Sequence, residues 1–428
     1  MEYLNFQFNK KNMNNIFFIL MGIFLVLSIP SSIIGTGVVN STIVLFDLLF
    51  LLYLLLNIKN FEFNKKELKF LYVLILILIL NCLFSSNLEY SLLRSLSILK
   101  ITIFILGSVF IIIHNTKIHK YFLLCLFISV IFVSSDSFYQ FIFTKDIFGF
   151  EKAPEVLGGR LTGPFKEEYI PGSFISKLTF LSLIYLLTFK IKNFFKFLTL
   201  AFLLAITILT KERMASLMLI FSSSFYLMFY SKNIKRNFII LIISLLTIFS
   251  IIYSNKNFNN RFIKTTLSQM GLSDYTTSHN KGGSIFDSDY GAHFLTGIEI
   301  FKDNFLFGSG LKTFRSNCGL KKYESIKSTS VDNRCTTHPH NFYLEVLSET
   351  GIIGFAFFIY LIFILLKSLF YINDRELRIL SFSILILLFW PIKTSGSIFS
   401  SWNGFLYALN VIYLLYFTKS CLIFKKKK

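Results

Sequence analysis

The sequence predicts an all-α, polytopic membrane protein with about twelve transmembrane helices and one large loop on the outer face. Three observations carry this reading. Of 428 residues, 54% are hydrophobic and only 15% charged, which is too apolar for a chain that folds in water. Runs of roughly 20 apolar residues, each able to cross the hydrocarbon core, recur along almost the whole length. Positive charge is concentrated in alternate short loops, so the net charge of +20 reads as a topology signal rather than a nucleic-acid footprint. The expected partners are membrane lipids and no nucleic acid, and residues 1–428 form a single integral membrane domain.

The apolar runs place spans at about 14–34, 41–58, 69–85, 93–113, 121–143, 172–189, 197–210, 213–230, 237–254, 351–371, 379–395 and 403–418. The first run, Ile16 to Ile34, is long and lacks a small-residue cleavage site, so it reads as a span and not as a signal peptide. The basic connections are Lys10 and Lys11; Lys59, Lys65, Lys66 and Lys69; Lys117 and Lys120; Lys190, Lys192 and Lys196; Lys232, Lys235 and Arg236; Arg375 and Arg378; and Lys419 with Lys425 to Lys428. The opposite short connections hold only Lys211 and Arg213. The positive-inside rule then puts both termini in the cytoplasm. Two longer segments, 144–171 and 255–350, fall outside, and soluble chemistry is expected there.

Charges inside the spans add a second clue. Asp47, Arg94, Lys100, Asp136, Lys177, Arg213 and Lys393 lie in or beside apolar stretches, each in the outer part of its span. Ionisable residues at membrane depth usually face a bundle interior or a wet cavity. Lys100 and Asp136 come out at similar depth on consecutive spans, which makes them candidates to pair. Arg94 and Lys393 are equally compatible with snorkelling to the interface. Together these residues imply a cationic cavity open to the outside.

Cysteine and histidine sharpen the outer loop. Cys82, Cys125 and Cys421 belong to spans or the inner end, whereas Cys318 and Cys335 are the only outer-loop cysteines and are expected to form a disulfide. No CxxC spacing supports a metal site, and "CTTHPH" is a weak zinc signal by itself. No histidine falls inside a predicted span. His114 and His119 read as solvated inner-loop residues; His279, His293, His338 and His340 all lie in the large loop. After His340, Asn341 is placed to cap a short helix running through Ser348, with Phe342, Val346 and Leu347 on one face and Asn341, Glu345 and Glu349 on another. Gly351 would end it in a left-handed cap, with the span starting at Ile352. A histidine at that helix N-terminus is held neutral by the partial positive charge, as a general base must be. An interfacial cap residue would look the same.

The spacing His340-Asn341, nine residues, then Gly351-Ile352-Ile353-Gly354, resembles the hallmark of the O-antigen ligase family. "RLTGPFKEEYIPGSF" (Arg160 to Phe174) resembles that family's outer segment before a span. "TKERMAS" (Thr210 to Ser216) resembles its arginine-bearing segment, and "FKDNFLFGSGLKTFR" (Phe301 to Arg315) resembles the stretch before the histidine. The resemblance covers about residues 150 to 365. It implies a glycosyltransferase of the bacterial inner membrane with its active site facing the periplasm. Such an enzyme moves an undecaprenyl-diphosphate-linked glycan onto lipid A–core without cofactor or metal. It assigns His340 as general base and Arg213 as the diphosphate-binding arginine. Arg160, His338, Asn341, Arg315, His293 and Lys100 are the further candidates for substrate contacts. One departure is visible. Many members carry a second arginine fifteen to twenty residues before the Gly-x-Gly pair, here Gly308-Ser309-Gly310, and this chain has "DYGAHFLTG" there, with Tyr290 and His293. Arg160, Arg315 or a protonated His293 are candidates to replace it. "DSD" at Asp287 to Asp289 reads as a solvated loop. A polymerase of the same superfamily would share the donor. A lipid-linked glycan flippase should instead show polar groups through the midplane and a repeat between halves, neither of which is present.

Overall fold

The computed structural model describes residues 10–58, 61–63, 65–154, 158–230, 233–269, 288–326, 334–394, 396–418 and 424–426. Nine long helices come first: α1 Lys10–Ile34, α2 Thr36–Asn57, α3 Lys65–Leu83, α4 Leu88–His114, α5 Thr116–Phe143, α6 Pro171–Thr188, α7 Asn193–Leu209, α8 Arg213–Tyr230 and α9 Ile234–Ser254. The long loop adds the short helices α10 Lys256–Asn259 and α11 Thr265–Gln269, the longer α12 Asp289–Asp303, and α13 Phe314–Asn317. The chain closes with α14 Phe342–Leu369, α15 Arg375–Phe389 and α16 Ser401–Thr418. Among the described residues the one strand pair is β1, Phe61–Phe63, antiparallel to β2, Phe424–Lys426.

Eleven of the twelve apolar runs lie on a helix to within two residues, whereas the run 379–395 leaves α15 at Phe389. Seven stretches are long and apolar enough to cross a membrane: Asn15–Ile34, Thr36–Asn57, Leu88–His114, Thr116–Phe143, Pro171–Thr188, Lys235–Ser254 and Phe342–Leu369. Leu68–Leu83 and Asn193–Leu209 are apolar but shorter. Caps account for the abrupt joins. Asn115 ends α4 by donating its amide to Ile111 and starts α5 by accepting from Lys117 and Ile118 through its side chain. The largest apolar core joins α1, α2, α4, α5, α6 and α16, with Phe46, Phe104, Phe122, Phe174 and Phe405 fully buried. Large apolar side chains such as Leu55, Ile243 and Leu246 remain exposed on outward faces, where lipid rather than water would cover them.

The two ends of the bundle differ in chemistry. At one end Lys196 pairs with Glu376 at 2.5 Å, Tyr226 donates to the same carboxylate at 3.0 Å, and Arg375 donates to the Phe229 carbonyl at 3.0 Å. The long segments gather at the other end. There Leu161 donates its amide to Thr210, and Arg261 donates to the Lys211 carbonyl, each at 3.4 Å.

The segment 304–311 explains the paired glycines. Ser309 and Gly310 donate their amides to the Ser348 and Glu349 carbonyls at 3.0 Å each, while Ile352 and Ile353 donate to the Phe305 and Leu306 carbonyls at 2.9 and 3.4 Å. A crossing strand of chain thus satisfies the backbone groups that a helix break leaves open. The break is at Gly351, with φ 65° and ψ −172°. This corrects the expected left-handed cap: φ is positive, but ψ is extended, a region essentially reserved for glycine. A side chain there would collide with the Leu306 carbonyl and the Gly308 amide. Asn81 locks the junction by donating to the Phe307 and Glu349 carbonyls at 2.7 Å each and accepting from Leu311 at 3.2 Å.

Three further expectations are corrected. Lys100 does not pair with Asp136. It donates to Asn40 at 2.5 Å, and Asp47 is the acid whose charge acts on it, because α2 and not α5 packs against that face of α4. Lys393 does not snorkel. It is buried and donates to the Leu387 carbonyl at 3.0 Å, the Leu388 carbonyl at 2.5 Å and the Tyr407 hydroxyl at 3.0 Å, where it caps the carbonyls at the end of α15. His119 is not solvated, since α5 begins early enough to bury it against Tyr413 and Tyr416. His279, Cys421 and Asp287, and the side chain of Asp289, lie outside the described residues.

Cys318 and Cys335 are joined, with Cα atoms 5.2 Å apart. The link tethers the segment leading to His340 against the Phe314–Tyr323 cluster. Closing this loop is worth about 3 kcal/mol on the chain-entropy treatment. The expected result is a Cys318–Cys335 cross-linked peptide in a non-reducing mass-spectrometric digest of protein from an oxidising compartment. Two free thiols there would remove the link.

Candidate active site

The site begins with the start of α14. Asn341, extended at φ −134°, accepts from the amides of Tyr343 and Leu344 at 2.9 and 3.2 Å, the usual way an Asx side chain opens a helix. Its amide nitrogen donates to the Pro391 carbonyl at 2.8 Å, and Tyr343 donates its hydroxyl to the Phe389 carbonyl at 2.6 Å. Two anchors therefore fix the helix start against the end of α15. Glu345 and Glu349, on the polar face of this helix, are fully buried. Glu345 accepts from Ser397 and from the Ile398 amide at 3.0 Å, with Lys312 at 3.7 Å, while Glu349 accepts from the Lys312 amide at 2.6 Å and the Phe314 amide at 3.3 Å. Buried carboxylates survive when hydrogen-bonded and paired in this way.

His340 directly precedes this anchored turn and has φ 54°. A positive φ is uncommon for a residue with a Cβ and costs of order 1–3 kcal/mol, so the surroundings must enforce it. The imidazole joins a ring cluster: His338 at 4.5 Å, His293 at 5.2 Å and Tyr290 at 5.5 Å between centroids. Burial, then the charge that His338 and His293 would carry when protonated, pull its pKa down from 6.5 to about 3. Desolvation, rather than the helix dipole expected from the sequence, is the main cause that favours the neutral imidazole.

A second group of residues faces the first. Arg213, at the first turn of α8, donates to Thr266 at 3.0 Å. Arg261 comes from the chain between α10 and α11, packs over Gly158 and donates to the Lys211 carbonyl at 3.4 Å. Burial and the charges of Arg213 and Arg160 draw the Arg261 guanidinium down to about 10, so it stays protonated at neutral pH. Arg160 donates to the Tyr169 carbonyl at 2.6 Å and lies over that ring. Glu212 is the acid of the group, but it is committed to the first turn of α6 through the Gly172 and Ser173 amides at 2.6 and 3.1 Å. Tyr290 stands between the groups: its ring meets His293 and His340, and its phenol is close enough to Arg213 and Arg261 to act on both. Three guanidinium groups with no free carboxylate among them make an anion cradle, and the half-buried His340 imidazole sits beside it.

The structure brings together His340, His338, His293, Arg213 and Arg160 from the predicted set. It does not bring two others to that place. Arg315 is exposed and lies over the Tyr90 ring. Lys100 lines a separate, mainly apolar cavity of about 430 Å³ between α3, α4, α14 and α16. Asn341 supports the cap rather than pointing a free group at the cluster. Arg261 was missed, although it is the sole arginine between Arg236 and Arg315. Among the described residues, no three His, Cys, Asp or Glu side chains are placed to hold a metal ion.

Residues 198–359 match the O-antigen ligase family model, a stretch that holds Arg213, Arg261, Tyr290 and all three clustered histidines. No curated protein matches the chain. The match supports a membrane glycosyltransferase of the ligase or polymerase type, with a lipid-linked glycan and a lipid acceptor as its general substrate classes.

Proposed function

Starting from the O-antigen ligase domain in residues 198–359, we propose that the protein transfers a glycan from undecaprenyl diphosphate to lipid A–core at the periplasmic face of the bacterial inner membrane. The observation that carries this is the pairing of a half-buried His340, whose pKa is held low, with the Arg213–Arg261–Arg160 cradle at one end of the bundle. His340 takes the proton of the acceptor hydroxyl as its oxygen attacks the anomeric carbon. The sugar–phosphate bond breaks, and undecaprenyl diphosphate leaves with the bonding pair. Arg213 and Arg261 grip the diphosphate and stabilise the charge it gains, a task suited to permanent cations with a bidentate fork. In this reading Arg261 stands in for the second arginine that the chain lacks at its usual place. Tyr290, His338 and His293 shape the space between base and cradle. A base of pKa about 3 is available but weak; a diphosphate bound beside it would raise its proton affinity towards the working pH.

All twelve helices cross the membrane in this reading, with 144–171 and 255–350 periplasmic. Cysteine introduced at Lys281 should react with an impermeant thiol reagent in intact cells, while one introduced at Lys235 should not. The reverse pattern would place the site in the cytoplasm, where the proposed donor does not present its glycan. The reaction itself is read from the lipopolysaccharide of a deletion strain. Unmodified core with polymer accumulating on the lipid carrier is the expected result. Core bearing single repeats would assign chain polymerisation instead, and an unchanged profile would remove both.

A further inference from the structure

We infer that the outer end of α5 and the loop that follows it form a site for a hard divalent cation, with Ca²⁺ the best fit, separate from the histidine–arginine cluster. Asp136 and Asp146 are each 3% exposed, and Ser137 is fully buried. One oxygen of each carboxylate is spoken for: Asp136 Oδ1 accepts from the Ile147 amide at 3.0 Å, and Asp146 Oδ1 accepts from the Phe148 and Phe150 amides at 3.0 and 2.6 Å. The other oxygens, Asp136 Oδ2 and Asp146 Oδ2, are buried without any hydrogen-bond partner, and so is Ser137 Oγ. Because Asp136 holds the amide that follows Asp146 in the chain, the two carboxyl groups are neighbours. A methyl group placed on Gly163, where φ is +50°, would sit 2.8 Å from Ser137 Oγ and 3.8 Å from Asp136 Oδ2, so these two unpartnered oxygens flank the Gly163 backbone.

Two buried carboxylates side by side need a countercharge or a shared proton, and among the described residues neither has a salt-bridge partner. Buried charges are paired or coordinate metals, since isolated burial is prohibitive. Carboxylate and hydroxyl oxygens are the ligands a hard cation prefers. An irregular loop suits the flexible coordination of Ca²⁺ better than the strict octahedron of Mg²⁺. Glycine at position 163 leaves the space that a side chain would fill.

Such a cation would order the loop that presents Arg160. Gln140 already ties this loop to α5, accepting from the Thr162 and Gly163 amides at 2.9 Å each and donating to the Phe150 carbonyl at 3.0 Å. The cation is structural, so the inference does not depend on the proposed transfer reaction.

The test uses full-length protein in detergent micelles. Tb³⁺ luminescence with Ca²⁺ and Mg²⁺ as competitors gives affinity, and thermal unfolding in millimolar CaCl₂ against EDTA gives the stability response. Wild-type protein should bind Tb³⁺, release it preferentially to Ca²⁺, and unfold at higher temperature with CaCl₂. D136N and D146N keep the amide-accepting oxygen and the shape, and each should weaken Tb³⁺ binding by at least ~10-fold and lose the CaCl₂ response. Absence of any cation response in the wild type, or an equal response in both variants, would overturn the site. So would cation-independent stabilisation on acidification, the signature of two carboxyls sharing a proton.

Discussion

His340→Ala protein should transfer glycan about 10²–10⁴-fold more slowly than wild type, the usual cost of losing a positioned base. Expression, the Cys318–Cys335 link and donor binding should survive, because the helix start is held by Asn341 and Tyr343 and not by the imidazole. Single-turnover transfer with purified protein, alongside a separate donor-binding measurement, reads the two effects apart. A variant that transfers at near wild-type rate would strip His340 of the base role. The pH profile adds a signature. With His340 drawn down to about 3 in the free protein, its acid limb in kcat/KM should lie well below 6.5. In kcat it should move to higher pH once the diphosphate is bound. Stability follows the same linkage. Because the folded pKa is lowered from 6.5, the unfolded chain takes up a proton that the native site refuses. The His340 contribution is therefore complete above pH 6.5 and lost as pH falls towards 3.

The second large effect belongs to the cradle. Arg213→Lys should slow transfer by about 10²-fold or more, although charge is conserved, because an ammonium cannot reproduce the planar fork on two phosphate oxygens. Arg261→Ala should act in the same direction and should weaken donor binding as well, since it removes one of three clustered cations. The informative comparison is with Arg315→Ala, a position over Tyr90 outside the cluster, which should leave the rate within a few-fold. Equal losses at Arg315 and Arg261 would mean that the cluster does not define the phosphate site.

Much of the site was legible because local chemistry leaves a local trace. The Asn341 cap, the break at Gly351 and the pairing of the two loop cysteines all follow from residue types whose conformational or redox preferences act over a few positions. His340 was legible from the same turn. Partners were not. Lys100 and Asp136 share a depth, but depth says nothing about which faces of α4 and α5 meet, and Lys100 turned to Asn40 on α2. Glu345 and Glu349 share a polar face in the sequence, but nothing there shows that Lys312, Ser397 and the 304–311 segment bury them. Arg261 shows no periodicity and no motif; only the fold of the long connecting segments carries it to Arg213 and Arg160.

The sequence by itself determined the class of the molecule, the positions of its apolar helices, the charge asymmetry of its connections and the presence of a histidine at the head of α14. Those properties depend on composition and on spacings within single segments, which every residue reports independently of distant neighbours. Tertiary structure alone decided which cations share a cradle, why His340 is neutral and which carboxylates are left without partners. Each of these depends on desolvation and on charges brought close by helices far apart in the chain, and both fall off over a few ångströms of space rather than a few residues of sequence.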